Sequence, residues 1–290
     1  MRRARPIILG VAGVVLLGVL WELYKALGPA AGVVVNGVTI FPRTSDLAMP
    51  HLWTMITRLG EPVLSTAGSP PLWQAVVQAS AFTLGIAAIS WLIGTVVGLL
   101  LALLMQRFRT AESALLPWVV LSQTVPLIAL APLVTGFGAQ IHFAGGGRWE
   151  PWMSVVVIAS YLAFFPVSIG ALRGLNSPET AHVELMRTYA VGWWKTLITL
   201  RVPASVPYLL PALRLGAANA VIGAVVAEVS IGLPGGVGRM MVEYASASTG
   251  DPGKPWAPIF GAIAIGLIAA GLIALLGVAL GKYRRQEVAS

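Results

Sequence analysis

Residues 184–203 read ELMRTYAVGWWKTLITLRVP and carry Glu184, Arg187, Lys195 and Arg201, while the sequence on either side is almost continuously apolar. A charged, aromatic, helix-like stretch between long apolar runs implies a chain threaded through lipid, with this stretch left in water. Composition agrees. With 57% hydrophobic residues, 10% charged residues and a mean hydropathy of +0.83, there is too little polar surface to cover a soluble globule. The fold class expected is an all-α polytopic membrane protein.

Six apolar runs, near 7–27, 75–105, 115–138, 151–173, 207–231 and 256–281, approach the roughly 20 residues a helix needs to cross a bilayer. Each is read as a spanning helix. The first follows Arg2, Arg3 and Arg5, so a cleaved signal ending near ALGPAAG is the competing reading; its continuation into Trp21 and Tyr24, aromatics suited to a membrane interface, favours a span. Six spans place both termini on one side. That side collects the N-terminal arginines, Arg107, Arg109, Arg173, Arg187, Lys195, Arg201, Arg214, Lys282, Arg284 and Arg285, which are 13 of the 19 Lys and Arg. Basic residues concentrate in the cytoplasm, so the expectation is a bacterial cytoplasmic (inner) membrane protein with both termini inside. The net charge of +8 then reads as orientation rather than nucleic-acid binding, since no long basic tract occurs. The absence of cysteine excludes disulfides, thiolate metal sites and thiol nucleophiles.

The external side receives residues 28–74, 139–150 and 232–255. Within the first of these, Leu52, Met55, Ile56 and Leu59 recur at helical spacing, which suggests a short amphipathic helix on the bilayer surface, or else a docking surface for a partner. His51 and His142 read as interface residues rather than metal ligands, because no spaced His/Asp/Glu cluster accompanies them.

The opening stretch is therefore a cytoplasmic loop. Ser177, Pro178 and Glu179 spell a helix start: an N-cap hydroxyl, a proline where no amide hydrogen is needed, and an acid at the positive end of the dipole. The helix is expected from about Pro178, a change of direction at Gly192, and a second helix carrying Trp194, Leu197, Ile198 and Arg201 as far as Pro203. Two short helices presenting Arg187, Tyr189, Trp193 and Lys195 at a bend suit a groove in another protein; the competing reading is a solvated connector.

The spacing of this loop resembles the EAA loop of ATP-binding-cassette importer permeases, whose pattern of Glu first, Gly seventh and an aliphatic-x-Leu-Pro ending falls on Glu184, Ala190, Leu200, Val202 and Pro203. Ala190 replaces the usual glycine and Val202 the usual leucine. VPLIALAPLVTGFG (125–138) and ALRLGAANAVIGAVVAEVSIGLPGGVG (212–238) are similar to the third span and to the fifth span with its external turn in the nitrate, sulfonate and taurine group. The resemblance covers roughly residues 75–281. It implies a type I importer permease: a first helix and external loop over 1–74, a permease core over 75–281 with its coupling loop at about 177–206, and a cytoplasmic tail at 282–290.

The resemblance further implies a non-catalytic subunit coupled to two cytoplasmic ATPase subunits through Glu184, Arg187, Tyr189, Ala190, Gly192, Trp193, Lys195 and Pro203. It implies a second permease subunit, identical or homologous, and an external solute-binding protein. The chain has no GxxxxGK[ST]; GDPGKP and GVALGK lack the spacing and the hydroxyl, so ATP and Mg are assigned to the partner ATPase. The subgroup points to a small organic or inorganic anion as solute, although related permeases also resemble importers of vitamin precursors and heterocycles.

Polar groups inside the membrane are costly and mark candidate pathway positions. These are Gln123 and Thr124 beside Pro126 and Pro132, Ser160 and Tyr161 in the fourth span, and Asn219 and Glu228 in the fifth. For Gln123 and Asn219, hydrogen bonding between helices stands level with solute contact. Glu228 is either a structural acid, the favoured reading, or a proton carrier in a secondary transporter that needs no ATPase. Such a transporter predicts internal inverted repeats, and the sequence shows none convincing. A membrane-embedded enzyme ranks last, for want of H-E-x-x-H, G-x-S-x-G or paired intramembrane carboxylates. The small residues Gly85, Gly94 and Gly98 of the second span are expected to permit close helix packing.

Overall fold

A computed structural model describes residues 5–35, 37–66, 68–143 and 146–279. The expected tail at 282–290, with Lys282, Arg284 and Arg285, and the basic residues Arg2 and Arg3 lie outside the described residues. In chain order the elements are α1 (Arg5–Leu27), the strands β1 (Val33–Val35) and β2 (Val38–Phe41), α2 (Leu52–Arg58), α3 (Leu72–Arg107), α4 (Arg109–Leu121), α5 (Leu127–Gly138), α6 (Pro151–Leu175), α7 (Thr180–Thr188), α8 (Trp193–Thr196), α9 (Val202–Ile231), α10 (Val237–Ser246) and α11 (Trp256–Ala279). Beyond one small antiparallel hairpin, β1 with β2, every regular element described is helical.

Among the described residues, five stretches are long and apolar enough to cross a membrane: residues 8–27 of α1, α3, α6, the continuous run 193–231 ending in α9, and residues 256–275 of α11. The sixth is a bent pair. α4 and α5 meet at 103° across a single tight turn, Ser122–Thr124, so the run at 115–138 is broken rather than straight. The break falls at Pro126, while Pro132 and Pro117 are accommodated inside their helices.

Contacts divide the chain into two compact units, residues 1–78 with 240–261 and residues 79–239 with 262–290. In the first, the carboxylate of Glu22 caps α2 from a neighbouring helix. Its Oε1 accepts the Leu52 amide at 2.7 Å and its Oε2 pairs with His51 Nδ1 at 2.8 Å. The Lys25 ammonium is buried and donates to the carbonyls of Thr44 and Met49 and to Asp46 Oδ1, and that hydrogen bond and charge hold the Asp46 carboxyl below its ordinary range. The expected amphipathic face of α2 is partly present. Met55 is buried and Leu59 packs with Leu72, Val76 and Ala257, but Ile56 points outward and Trp53 stacks, exposed, on His51. Arg58 pairs with Asp251 at 2.7 Å, and burial pushes the Tyr244 hydroxyl upward in pKa where Lys254 covers its ring.

The second unit is held by small residues. A methyl group at Gly223 of α9 would meet Ala159 Cα of α6 at 2.8 Å, and one at Gly174 of α6 would meet Ser205 Cα at 2.9 Å. Gly94 and Gly98 of α3 lie equally tight against the Ser160 carbonyl and Ser168 amide of α6. Without a hydrophobic drive between helices in lipid, such close backbone approach supplies the attraction. Gly85 departs from the expectation: nothing lies within 4 Å of where its side chain would be, because it sits on a face of α3 that no helix covers. Accordingly Gly223→Val should force α6 and α9 apart and lower stability by about 1–3 kcal/mol, whereas Gly85→Ala should be close to neutral. Thermal unfolding of the two variants in detergent distinguishes these outcomes.

Candidate functional site

The loop between α6 and α9 is built on fixed joints at its base. Arg201 Nη1 donates to the Leu175 carbonyl at 2.7 Å, occupying one of the last acceptors of α6, where a cation also suits the negative end of the helix dipole. Ser177 Oγ donates to the Gly174 and Ala204 carbonyls. Ser177 is therefore a staple at the end of α6, not the N-cap expected from the sequence. α7 instead begins at Thr180 after Glu179, without a side-chain cap, because the serine hydroxyl is drawn to carbonyls freed at the helix end.

The reversal after α7 is a Schellman motif. Val191 N bonds the Met186 carbonyl and Ala190 N the Arg187 carbonyl, with Ala190 itself at φ +50. Ala190 is thus the turn residue. Gly192, to which the bend had been assigned, has φ −64 and ψ 158 and caps α8, its carbonyl accepting the Thr196 amide. The second helix also differs, since it does not end at Pro203. A wide π turn over Leu197–Arg201, in which Val202 N bonds the Leu197 carbonyl, leads directly into α9. The missing amide of Pro203 costs little in a first turn, and the wider turn makes room for its ring.

Exposure separates the loop residues into two sets. Glu184, Arg187, Tyr189, Ala190, Gly192 and Lys195 are exposed, and with them Leu185 and Trp194; Tyr189 and Trp194 are 75% and 70% accessible. Trp193 faces the other way. Its Nε1 donates to Gln106 Oε1 at 3.2 Å, Arg107 lies over its ring, and it packs on the cluster of Met105, Leu172, Leu175 and Leu197. Trp193 and half-buried Pro203 thus root the loop, while Trp194 and Leu185, which sequence reasoning left out of the candidate set, stand with Tyr189 on its outside. Their period along two separate short helices gave no signal that the sequence alone resolves.

Among the intramembrane candidates, the structure ties polar side chains to backbone carbonyls. Pro166 withdraws the amide that would bond Leu162 O, and Asn219 Nδ2 of α9 reaches that carbonyl at 3.2 Å. At the α4–α5 break the Ser122 carbonyl accepts the Val125 amide at 3.4 Å and also receives the Tyr161 hydroxyl of α6. Gln123 Nε2 reaches Ser122 Oγ, while Thr124, exposed, and Ser160, buried, bond to carbonyls of their own helices.

Glu228 is fully buried and organises the turn after α9. Its carboxylate accepts from Thr83 Oγ1 of α3 at 2.8 Å and from the Gly238 amide in the first turn of α10 at 2.9 Å, and Thr83 Oγ1 in turn accepts the Val237 amide. Its backbone carbonyl accepts from Gly232, at φ +73, and from Leu233. A side chain at Gly236 would occupy the space of the carboxylate, so the glycines of GLPGGVG fold around it. His142, by contrast, is exposed, and its ring Nδ1 lies 3.1 Å from the nearby Gln140 carbonyl.

Two outcomes follow from this geometry. A residue other than glycine held in the left-handed region pays about 1–2 kcal/mol, so Ala190→Gly should strengthen the loop turn and Ala190→Val weaken it, read as slower and faster hydrogen exchange at the Val191 amide. Glu228→Ala should strand the Thr83 hydroxyl and the Gly238 amide and destabilise by about 1–3 kcal/mol. Calorimetry measures that loss, and Glu228→Gln, which keeps an acceptor, should recover part of it.

Comparison with known proteins reaches the same region. Residues 94–285 match the family described as the binding-protein-dependent transport system inner membrane component. The formylaminopyrimidine transport permease protein ThiX of Halalkalibacterium halodurans is 34% identical over 210 residues, 71% of this chain and 77% of that one. The putative aliphatic sulfonates transport permease protein SsuC of Bacillus subtilis is 28% identical over 199 residues, 68% and 67% of the two chains. The riboflavin transport system permease protein RibX of Chloroflexus aurantiacus is 30% identical over 130 residues, 44% of each. The matched span contains the loop, the proline breaks and the Glu228 turn, and the chain belongs to the binding-protein-dependent transport system inner membrane components, as an ATP-binding-cassette importer permease of the nitrate, sulfonate and taurine group.

Proposed function

We propose that the chain forms half of the translocation pathway of an ATP-driven importer and receives its driving force through the α7–α8 loop. The observation that carries this reading is the division of labour in the loop: rooted by Trp193, Arg201 and Ser177, exposed at Glu184, Leu185, Arg187, Tyr189 and Trp194, and continuous with α9. A solvated connector needs neither fixed joints nor a row of exposed aromatics. Two partner ATPase subunits bind ATP and Mg and close on the loop, and α9 carries the displacement into the membrane. A second permease subunit completes the pathway, and an external binding protein delivers the solute. The loop lies in the cytoplasm with both termini. Names carried by the relatives favour a small organic solute, sulfonated or heterocyclic. Glu228, spent on capping α10, gives no support to proton-coupled transport, and family membership points away from it.

Tyr189→Ala with Trp194→Ala removes the exposed aromatics without touching the joints, and a few central residues dominate such interfaces. Retention of the ATPase by tagged permease should fall by about tenfold, with uptake into vesicles falling in parallel. Trp193→Ala should instead loosen the loop itself, measured as faster hydrogen exchange across 188–197. Full ATPase retention and uptake in the double variant would refute the coupling role. Cysteines at Ser69 and Ser290 should label from opposite faces of the membrane; labelling of both from outside would overturn the orientation.

A further inference from the structure

Between α9 and α11 in the second unit lies a cavity of about 400 Å³. Its walls are Ala218, Ile222 and Val225 on α9 and Ala262, Gly266 and Ala270 on α11, with Arg214 closing one end. Arg214 is the single polar side chain of the lining. It is exposed and makes no hydrogen bond or ion pair among the described residues. A methyl group at Gly277 would meet its Nη2 at 3.1 Å, so the guanidinium rests against α11 two residues before the end of the last span's described helix, Ala279.

A cation at this level in a membrane protein either turns toward an aqueous space or takes an anion from the headgroup layer. The cavity decides between them. Its walls are aliphatic along the nine residues from Ala218 to Val226, about 12 Å at the helical rise, which is the shape and chemistry of an acyl chain and offers a polar solute no hydrogen bond. Apolar walls leading to one guanidinium that has no partner among the described residues complement a molecule with an anionic head and a hydrocarbon tail. We infer that this groove holds an anionic phospholipid from the leaflet on the side of the α7–α8 loop, its phosphate on Arg214 and an acyl chain between α9 and α11. The inference rests on the chain spanning a bilayer and not on its coupling to an ATPase.

The test uses the full transport complex in nanodiscs of phosphatidylglycerol and phosphatidylcholine, followed by detergent exchange and mass spectrometry of the lipid retained. Phosphatidylglycerol should be retained in preference to phosphatidylcholine. Arg214→Gln should lower that retention by roughly fivefold, about the contribution of one basic side chain near an anionic surface, and Arg214→Lys should keep most of it. Gly266→Leu puts a side chain into the groove at a position where an added Cβ meets nothing within 4 Å, and should lower retention of the acyl chain while Arg214 is intact. Unchanged retention in both Arg214→Gln and Gly266→Leu overturns the inference. So does a Gly266→Leu protein that loses its second permease subunit at constant lipid, which would make the groove a subunit interface. Loss of uptake in Arg214→Gln with lipid retention untouched would make Arg214 a solute contact and also overturn it.

Discussion

In lipid every backbone amide and carbonyl must find its partner inside the protein, and this chain runs prolines through four of its membrane helices. Each interior proline withdraws one donor. At Pro166 the orphaned Leu162 carbonyl is met by Asn219 of α9, so the repair of one helix becomes a bond to its neighbour, and at the α4–α5 break the Ser122 carbonyl takes the Tyr161 hydroxyl of α6 beside the Val125 amide. The bend between α4 and α5 and the pairing of α6 with α9 are two faces of that single requirement.

The same requirement explains the buried carboxylate. The first amides of α10 lie where neither water nor a preceding turn reaches them, and Glu228 with Thr83 receives them. At the other end of α9, Arg201 performs the reciprocal service for the last carbonyls of α6. α9 thus has one charged residue near each end, and both complete the ends of adjoining helices.

Much of this was legible in the sequence. The apolar runs located the spans, because length and hydropathy are imposed by the bilayer and not by the details of packing; they missed the bend within 115–138 and the extension of the fifth run back to Trp193. The reversal in the loop was legible as a reversal, and the EAA spacing put the family's glycine position at Ala190, the residue that is left-handed; only the local reading was drawn by composition to Gly192, which lies outside the turn. Ser177 and Pro203 misled for a related reason. A hydroxyl near a helix start competes between two helix ends, and a proline in a first turn reads alike whether the helix begins there or continues from a π turn. The capping of α2 by Glu22 and the open flank of Gly85 depend on how distant segments pack, for which local pattern holds no information; the hairpin at β1 and β2 is local, and the reading of that stretch as an external loop passed over it. Of the pathway candidates, Asn219, Tyr161 and Glu228 were legible as polar residues out of place; that carbonyls and amides would claim them became visible only with the helices assembled.

The run from Trp193 to Ile231 is 39 residues without a break, about 58 Å of helix, and its prolines at 203, 207 and 211 recur every four residues. Residues at that interval fall on one side of a helix, so the missing amide hydrogen bonds accumulate along one stripe near the loop, while the opposite stripe and the half toward Glu228 keep theirs. Such a rod is mechanically anisotropic: compliant in one plane close to the loop, stiff in the other and stiff beyond. A push on the loop, were one applied as proposed above, would arrive in the membrane as a deflection whose direction is written into the spacing of three imino acids.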